Sequence, residues 1–227
     1  MKQRHGWSVA AGVLVAAAAI TLVALPRKVE WSTRSGAALE EFERANEART
    51  KLYHLDAISH LERAIELDPE FLFAKLLLAD ELAKHRDIER AEQLYSEVIR
   101  ADLSGLRPRE RFLIERERAL NEGRFADATQ LTSDFFEQYP DDPYVIDAMA
   151  IDVQYRGDVD EAERLYRHLL EVAPNWVTAY NSLGYITMSQ GRFAEAEEYF
   201  TSYRFIADDH ANSHDSLAEL YLIRGLY

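Results

Sequence analysis

The sequence predicts an all-α protein: an array of helix-turn-helix repeats behind one apolar N-terminal helix. Three observations carry that expectation. Gly123, Gly157, Gly191 and Gly225 stand 34 residues apart. Ala128, Ala162 and Ala196 keep the same step, and so do Pro140 and Pro174. Ahead of them, the nineteen residues from Trp7 to Leu25 carry no charge. Several residue types locked to one period mark a repeat architecture, in which each unit is a small motif stacked on the next.

Each unit reads as two helices. Val177, Tyr180, Leu183, Gly184 and Ile186 fall at helical spacing, so residues 177–190 form a first helix. Gly191 closes it, where a left-handed cap favours a residue without a Cβ. A second helix holds Phe193, Ala196, Phe200 and Tyr203. Phe125, Val159, Phe193 and Tyr227 each follow a turn glycine by two. Small Gly184 and Ala196 sit where the two helices cross and permit close approach. Ala128, Ala162 and Ala196 are therefore expected to be buried between the helices of their units. Proline cannot continue a helix interior, so Pro69, Pro140 and Pro174 separate one unit from the next.

These residues resemble the tetratricopeptide repeat. The run Tyr180-Asn181-Ser182-Leu183-Gly184-Tyr185, followed by Gly191-Arg192-Phe193-Ala194-Glu195-Ala196, is close to that family's consensus. The resemblance covers residues 38–227, framed as units 38–71, 72–108, 109–142, 143–176, 177–210 and a partial 211–227. It implies helix pairs stacked into a right-handed superhelical solenoid. The second unit carries three extra residues around Leu103-Ser104-Gly105-Leu106, and the first has Leu52 where the turn glycine is usual. A looser pattern is Ser-x-x-Ala-Leu after the apolar run, Pro-Arg-Glu-Arg-Phe near residue 110 and Asp-Ser-Leu-Ala-Glu-Leu near residue 217. It is similar to uncharacterised bacterial membrane-anchored proteins with such arrays.

Ahead of the array, residues 1–6 are a basic tail, 7–25 an apolar helix and 26–37 a linker. A helix of nineteen residues spans about 28 Å at ~1.5 Å per residue, close to the ~30 Å hydrocarbon thickness of a bilayer. A cleaved signal peptide has a shorter apolar region ending in a small-x-small site. The best late site here follows Ala24 and has bulky Leu22 three positions before the cut. A transmembrane anchor is therefore expected. Basic residues flank both ends, Lys2 and Arg4 against Arg27, Lys28 and Arg34. The short basic tail is easily retained in the cytoplasm, which would leave the repeat domain periplasmic or extracytoplasmic.

The chain has 26 Lys and Arg against 40 Asp and Glu, a net charge of −14. That balance disfavours nucleic acid and anionic lipid headgroups as partners, and it also keeps an elongated protein soluble. There is no cysteine, which excludes disulfides and thiolate metal sites. No Gly-x-Ser-x-Gly, phosphate loop or dinucleotide fingerprint occurs. Carboxylate pairs such as Glu197-Glu198 fit a solvated helix face. His210 and His214 have chelating spacing but straddle an inter-unit turn, and no Glu follows His210 directly. His54 and His60 read as surface residues. No catalytic residue, cofactor or metal is expected, and the chain is not read as an enzyme.

The expectation is instead a protein–protein interaction scaffold or assembly adaptor at a membrane. The alternative is an accessory or sensor domain of a larger enzyme or signalling protein. The resemblance implies that first helices line a concave face that binds partner peptides or helices. Register puts Tyr144, Asp147, Ile151 and Tyr155 there, then Asn181, Tyr185 and Met188, then Asn212, Asp215 and Glu219. Ile151 and Met188 fit helix packing equally well. These positions are mostly neutral or acidic, and Phe42 stands where a carboxylate clamp near Asn46 would need lysine. A basic or amphipathic helical segment is therefore the expected partner. The chain stops at Gly225-Leu226-Tyr227, where a second helix would begin. The apolar side of the helix of residues 211–224 holds Leu217, Leu220, Tyr221 and Ile223 or Leu222; part of it is expected to pack around Phe200 and Tyr203 and part to stay uncovered. That implies a piece of a longer array, or self-association through this end.

Overall fold

The computed structural model describes residues 31–208 and 210–225, all within a unit that starts at Trp31. Among the described residues there are eleven helices and no strand. They are α1 (Gly36–Thr50), α2 (His54–Leu67), α3 (Leu72–Lys84), α4 (Ile88–Arg100), α5 (Pro108–Asn121), α6 (Phe125–Gln138), α7 (Pro143–Tyr155), α8 (Val159–Val172), α9 (Val177–Ser189), α10 (Phe193–Ile206) and α11 (Ala211–Ile223). None of them is long and apolar enough to cross a membrane. The expected anchor, residues 7–25, lies outside the described residues. The first pair begins at Gly36, two residues ahead of the expected frame, because Ser35 caps it by accepting from the Ala38 N–H at 3.1 Å.

One turn is reused inside every complete pair. Gly123, Gly157 and Gly191 adopt φ of 72°, 86° and 74°, and the same left-handed position is filled by Leu52 at 63° and Arg86 at 61°. The next N–H then reaches back five residues to close the helix end: Tyr53 to Ala48 at 2.9 Å, Asp87 to Leu82 at 3.0 Å, Arg192 to Thr187 at 2.9 Å. The turn is thus a property of the backbone, imposed even where the residue is not glycine.

Ala128, Ala162 and Ala196 are buried at 1%, 0% and 0% exposure, as their 34-residue step predicts. Gly184 is the tightest crossing: a Cβ there would lie 2.3 Å from the Phe200 ring. The apolar core falls into successive clusters. One gathers Phe42, Leu61, Phe73, Leu77 and Val98; the next gathers Ile146, Val153, Leu165, Leu169 and Leu183; a third joins Phe200, Leu217 and Leu220.

The apolar side of α11 divides between packed and exposed residues. Leu217 and Leu220 are buried at 4% and 0% against α9 and α10, and half-buried Tyr221 donates to Glu197 at 2.9 Å. Among the described residues of that helix, Leu222 and Ile223 are exposed, at 62% and 54%.

Two features depart from a plain stack. Consecutive helices elsewhere pack along their length, but α4 and α5 barely meet. Residues 101–107, which hold the three extra residues, bury Leu103 in the first cluster and carry the chain away before Pro108 starts α5. The segment ahead of α1 is also pinned across the array. Trp31 stacks on Phe73 with centroids 5.1 Å apart, and the Ser32 N–H donates to the Glu110 carboxylate at 2.8 Å. The Arg109 guanidinium lies over the Trp31 ring at 4.8 Å and over Tyr144 at 5.3 Å, and pairs with Asp142.

A candidate binding cleft between the second and third helix pairs

The splay of α4 from α5 opens a cavity of about 830 Å³. Its walls come from α3 (Leu76, Asp80, Lys84), α4 (Ile88, Glu92, Tyr95), α5 (Leu113, Arg116, Glu117) and α7 (Asp147, Ile151), with Trp176 and Arg49 at its edges. The resemblance puts only first helices on the binding face; here a second helix, α4, supplies one wall. That follows from the extra residues, because the face of α4 that would have packed on α5 is left to line the opening. Across the gap the Tyr95 hydroxyl donates to the Glu117 carbonyl at 3.2 Å, and Arg118 reaches the Ala101 carbonyl at 2.6 Å. Burial pushes the Tyr95 phenol up to about 12, so it stays a neutral donor.

The lining holds three cationic side chains, Arg49, Lys84 and Arg116, against five carboxylates, Asp80, Glu81, Glu92, Glu117 and Asp147. The cations are already engaged. Arg49 donates to Glu81 at 2.9 Å and Asp80 at 3.2 Å. Lys84 shares the same two acids. Arg116 donates to Asp152 at 2.8 Å and to the Thr132 hydroxyl at 3.0 Å, and reaches Glu117 only at 3.6 Å. The Trp176 indole lies near Asp147, which has no ion-pair partner within 4 Å among the described residues. Burial raises its carboxyl to about 6, a rise only partly offset by the indole and by the fields of Arg116 and Arg49. Burial also raises Glu117, with Arg116 opposing and Asp80 adding to the rise.

The ten expected binding residues separate into three groups. Asp147 and Ile151 line the cleft. Tyr144 ends it, bridging the array by donating to Asn46 at 2.8 Å and setting its ring edge-on to Trp176 at 5.3 Å. Tyr155 does not line the cleft: it lies in the last turn of α7 and is 89% exposed. The other six lie at the C-terminal end. Tyr185 donates to Glu219 at 2.9 Å, Asn181 accepts from Ser216 at 2.9 Å, and Met188 packs in the third cluster. Asn212 donates to the Tyr203 hydroxyl at 3.0 Å, and Asp215 is exposed. Those contacts join α9, α10 and α11 to one another, so packing accounts for most of them.

His54 is also not the plain surface residue expected. It starts α2 half-buried and meets buried Glu81 at 2.6 Å, with the His85 and His210 rings 5.6 and 5.7 Å away. His210 faces His54 and Tyr203, while His214 lies 2.8 Å from the Asp208 carbonyl, so the two histidines share no partner. Among the described residues no group of three or more His, Asp or Glu could hold a metal ion. Sequence reasoning missed Tyr95, Glu117 and Trp176. The available signal was the three-residue excess in the second unit, which moves α5 away and changes what α4 faces.

Residues 148–211 match the tetratricopeptide repeat family model. Among solved structures, the APC/C hetero-tetramer Cut9-Hcn1 is similar at a TM-score of 0.54, with 15% identity over 83% of this chain and 39% of that one. The chain therefore spans well under two thirds of that relative's length. TTC0263, a thermophilic TPR protein in Thermus thermophilus, is similar at a TM-score of 0.50, with 18% identity over 82% of this chain and 100% of that one. At these identities the likeness is one of fold.

Proposed function

We propose that this chain of tetratricopeptide repeats is a protein-binding scaffold, an adaptor held at a membrane through residues 7–25, with its repeat domain on the extracytoplasmic side. One observation carries the binding half of the reading. The stack is opened at a single junction into a cleft of about 830 Å³ whose walls mix aromatic, aliphatic and acidic side chains. That size and lining suit a few residues of a partner segment, with apolar area for affinity and sparse polar groups for orientation. A basic or amphipathic segment fits the acid excess. Expected contacts are Asp147 and Ile151, with Tyr144 as an end wall; the C-terminal residues Asn181, Tyr185, Met188, Asn212 and Glu219 contribute rigidity, and Asp215 is exposed to a partner at that end.

Photocrosslinking in intact cells tests this. A benzophenone side chain at Ile151 or Glu92, inside the cleft, is compared with one at Phe125, which is 66% exposed and does not line it. Discrete protein adducts are expected from the two cleft positions and not from Phe125. Identical adduct patterns at all three positions would overturn the cleft as the docking site. For the anchor, N-terminal sequencing of membrane-extracted protein should return the uncut start; a mature terminus near Leu25 would mean that the segment is a signal peptide.

A further inference from the structure

Beyond a general preference for basic partners, the cleft has one electrostatic peculiarity. Its three lining cations are all held by acids, and three of its five acids are held by no cation at short range: Glu92, which is exposed, Glu117 and Asp147. Glu117 sees Arg116 only at 3.6 Å, because that guanidinium is turned to Asp152 and Thr132. Asp147 lines the cleft with the neutral Trp176 indole nearby and no ion-pair partner within 4 Å among the described residues. A neutral neighbour leaves the charge uncompensated. Carboxylates facing open volume gain counter-charge when a cation arrives; Asp147 is half-buried and the Glu117 side chain is 38% exposed, so Asp147 gains more. They stand beside aromatic walls, Tyr95 and Trp176, whose faces attract a cation further.

We propose that the cleft is a receptor for one basic side chain, a lysine ammonium or arginine guanidinium borne by the partner segment, which inserts beside Asp147 into a lining that also holds Glu117. This rests on the scaffold reading and specifies what that cleft recognises. The flanking residues of the segment lie on the apolar wall made by Ile88, Leu76 and Ile151. The inserted group supplies the missing counter-charge, so that recognition comes from carboxylates on the cleft lining rather than from the protein's general acidity. The ligand is a side chain of a protein partner; a free polyamine is an outcome for the test to expose.

The experiment uses the full chain in detergent micelles, immobilised, at 0.15 M salt. Heptapeptide pools with randomised flanks carry a fixed central residue: lysine, arginine, Nε-acetyl-lysine, leucine or glutamate. Spermidine is run alongside as a competitor. Lysine and arginine pools should be retained at least fivefold over the other three. The variant Asp147→Asn/Glu117→Gln should lose that preference while keeping its helical circular dichroism. Both changes are nearly isosteric, and they remove 2 of 40 acids, so retention through bulk acidity would not respond. Equal retention of all pools, or an undiminished preference in the variant, would overturn the proposal. Spermidine that abolishes retention at concentrations below the peptides' own would replace the protein ligand by a polyamine. The photocrosslinks from Ile151 are read in the same variant. If adducts persist while the pools show no charge preference, the scaffold stands and the basic-side-chain receptor falls. If adducts are absent from the cleft in both proteins, the scaffold reading itself fails.

Discussion

Replacing Asp147 by Asn tests the electrostatics of the cleft without any ligand. Burial lifts this carboxyl from 3.8 to about 6, against Arg49 from α1, Arg116 from α5 and the Trp176 indole, with the Tyr144 and Tyr166 phenols also near. At ~1.4 kcal/mol per tenfold, that rise means the ionised group costs the folded state about 3 kcal/mol. Water reaching the cleft screens it, so about 1–3 kcal/mol is the working figure. The sign follows from proton uptake. Between about pH 4 and 6 the folded protein holds a proton that the unfolded chain has released. This group's contribution to stability is therefore best at low pH and declines as pH rises through 6. Asn imitates the protonated acid in shape and in carrying no charge. Urea unfolding of both proteins should show the variant more stable by about 1–3 kcal/mol at pH 7.5, with the gap closing toward zero near pH 4. Other carboxylates titrate over that range too, but they are common to both proteins and cancel in the difference. A gap that does not change with pH, or a variant less stable at pH 7.5, would refute the reasoning.

The remaining expectations concern packing and turns. Gly184→Ala drives a methyl into the Phe200 ring, 2.3 Å away, and should lower stability by about 1–3 kcal/mol in a thermal or urea melt; an unchanged midpoint would mean that α9 and α10 are farther apart than described. Ala162→Leu overpacks a fully buried crossing and should cost on the order of 1–3 kcal/mol by the same measure. Arg86, exposed at φ 61°, holds a left-handed backbone that glycine adopts freely, so Arg86→Gly should stabilise by about 0.5–1 kcal/mol, whereas Gly157→Ala at φ 86° should destabilise by about 1–2 kcal/mol; equal signs for the two would remove the shared-turn explanation.

Much of the fold was legible because its determinants are local and periodic. A left-handed turn followed by a small residue at a helix crossing leaves glycine and alanine at a fixed step, and Gly157 with Ala162 says as much without coordinates. Leu52 could be placed by counting alone, since the period identified the turn that its side chain conceals. The cleft was less legible. The extra residues near Leu103 were visible, but their consequence was not, because how far an insertion swings the next helix depends on packing across several units. Tyr155 illustrates the limit from the other side. It sits three turns along the same helix face as Tyr144, yet α7 ends there, and the last turn has no neighbour to face. For α11, reasoning from the helix alone could not tell which apolar residues α9 and α10 would claim.

The bridges between distant units change how the array should come apart. A linear stack is a row of near-neighbour couplings, so it frays from either end and its units melt semi-independently. Here Tyr144 meets Asn46 across 98 residues, the Tyr53 hydroxyl reaches the Ile206 carbonyl across 153, and Leu52 packs with Val177 and Tyr203. The first pair is thereby tied to the fourth and fifth, and it cannot loosen without breaking contacts with them. Melting then approaches all-or-none behaviour, and amide exchange in α1 and α10 should slow together, as if the two were one cooperative unit.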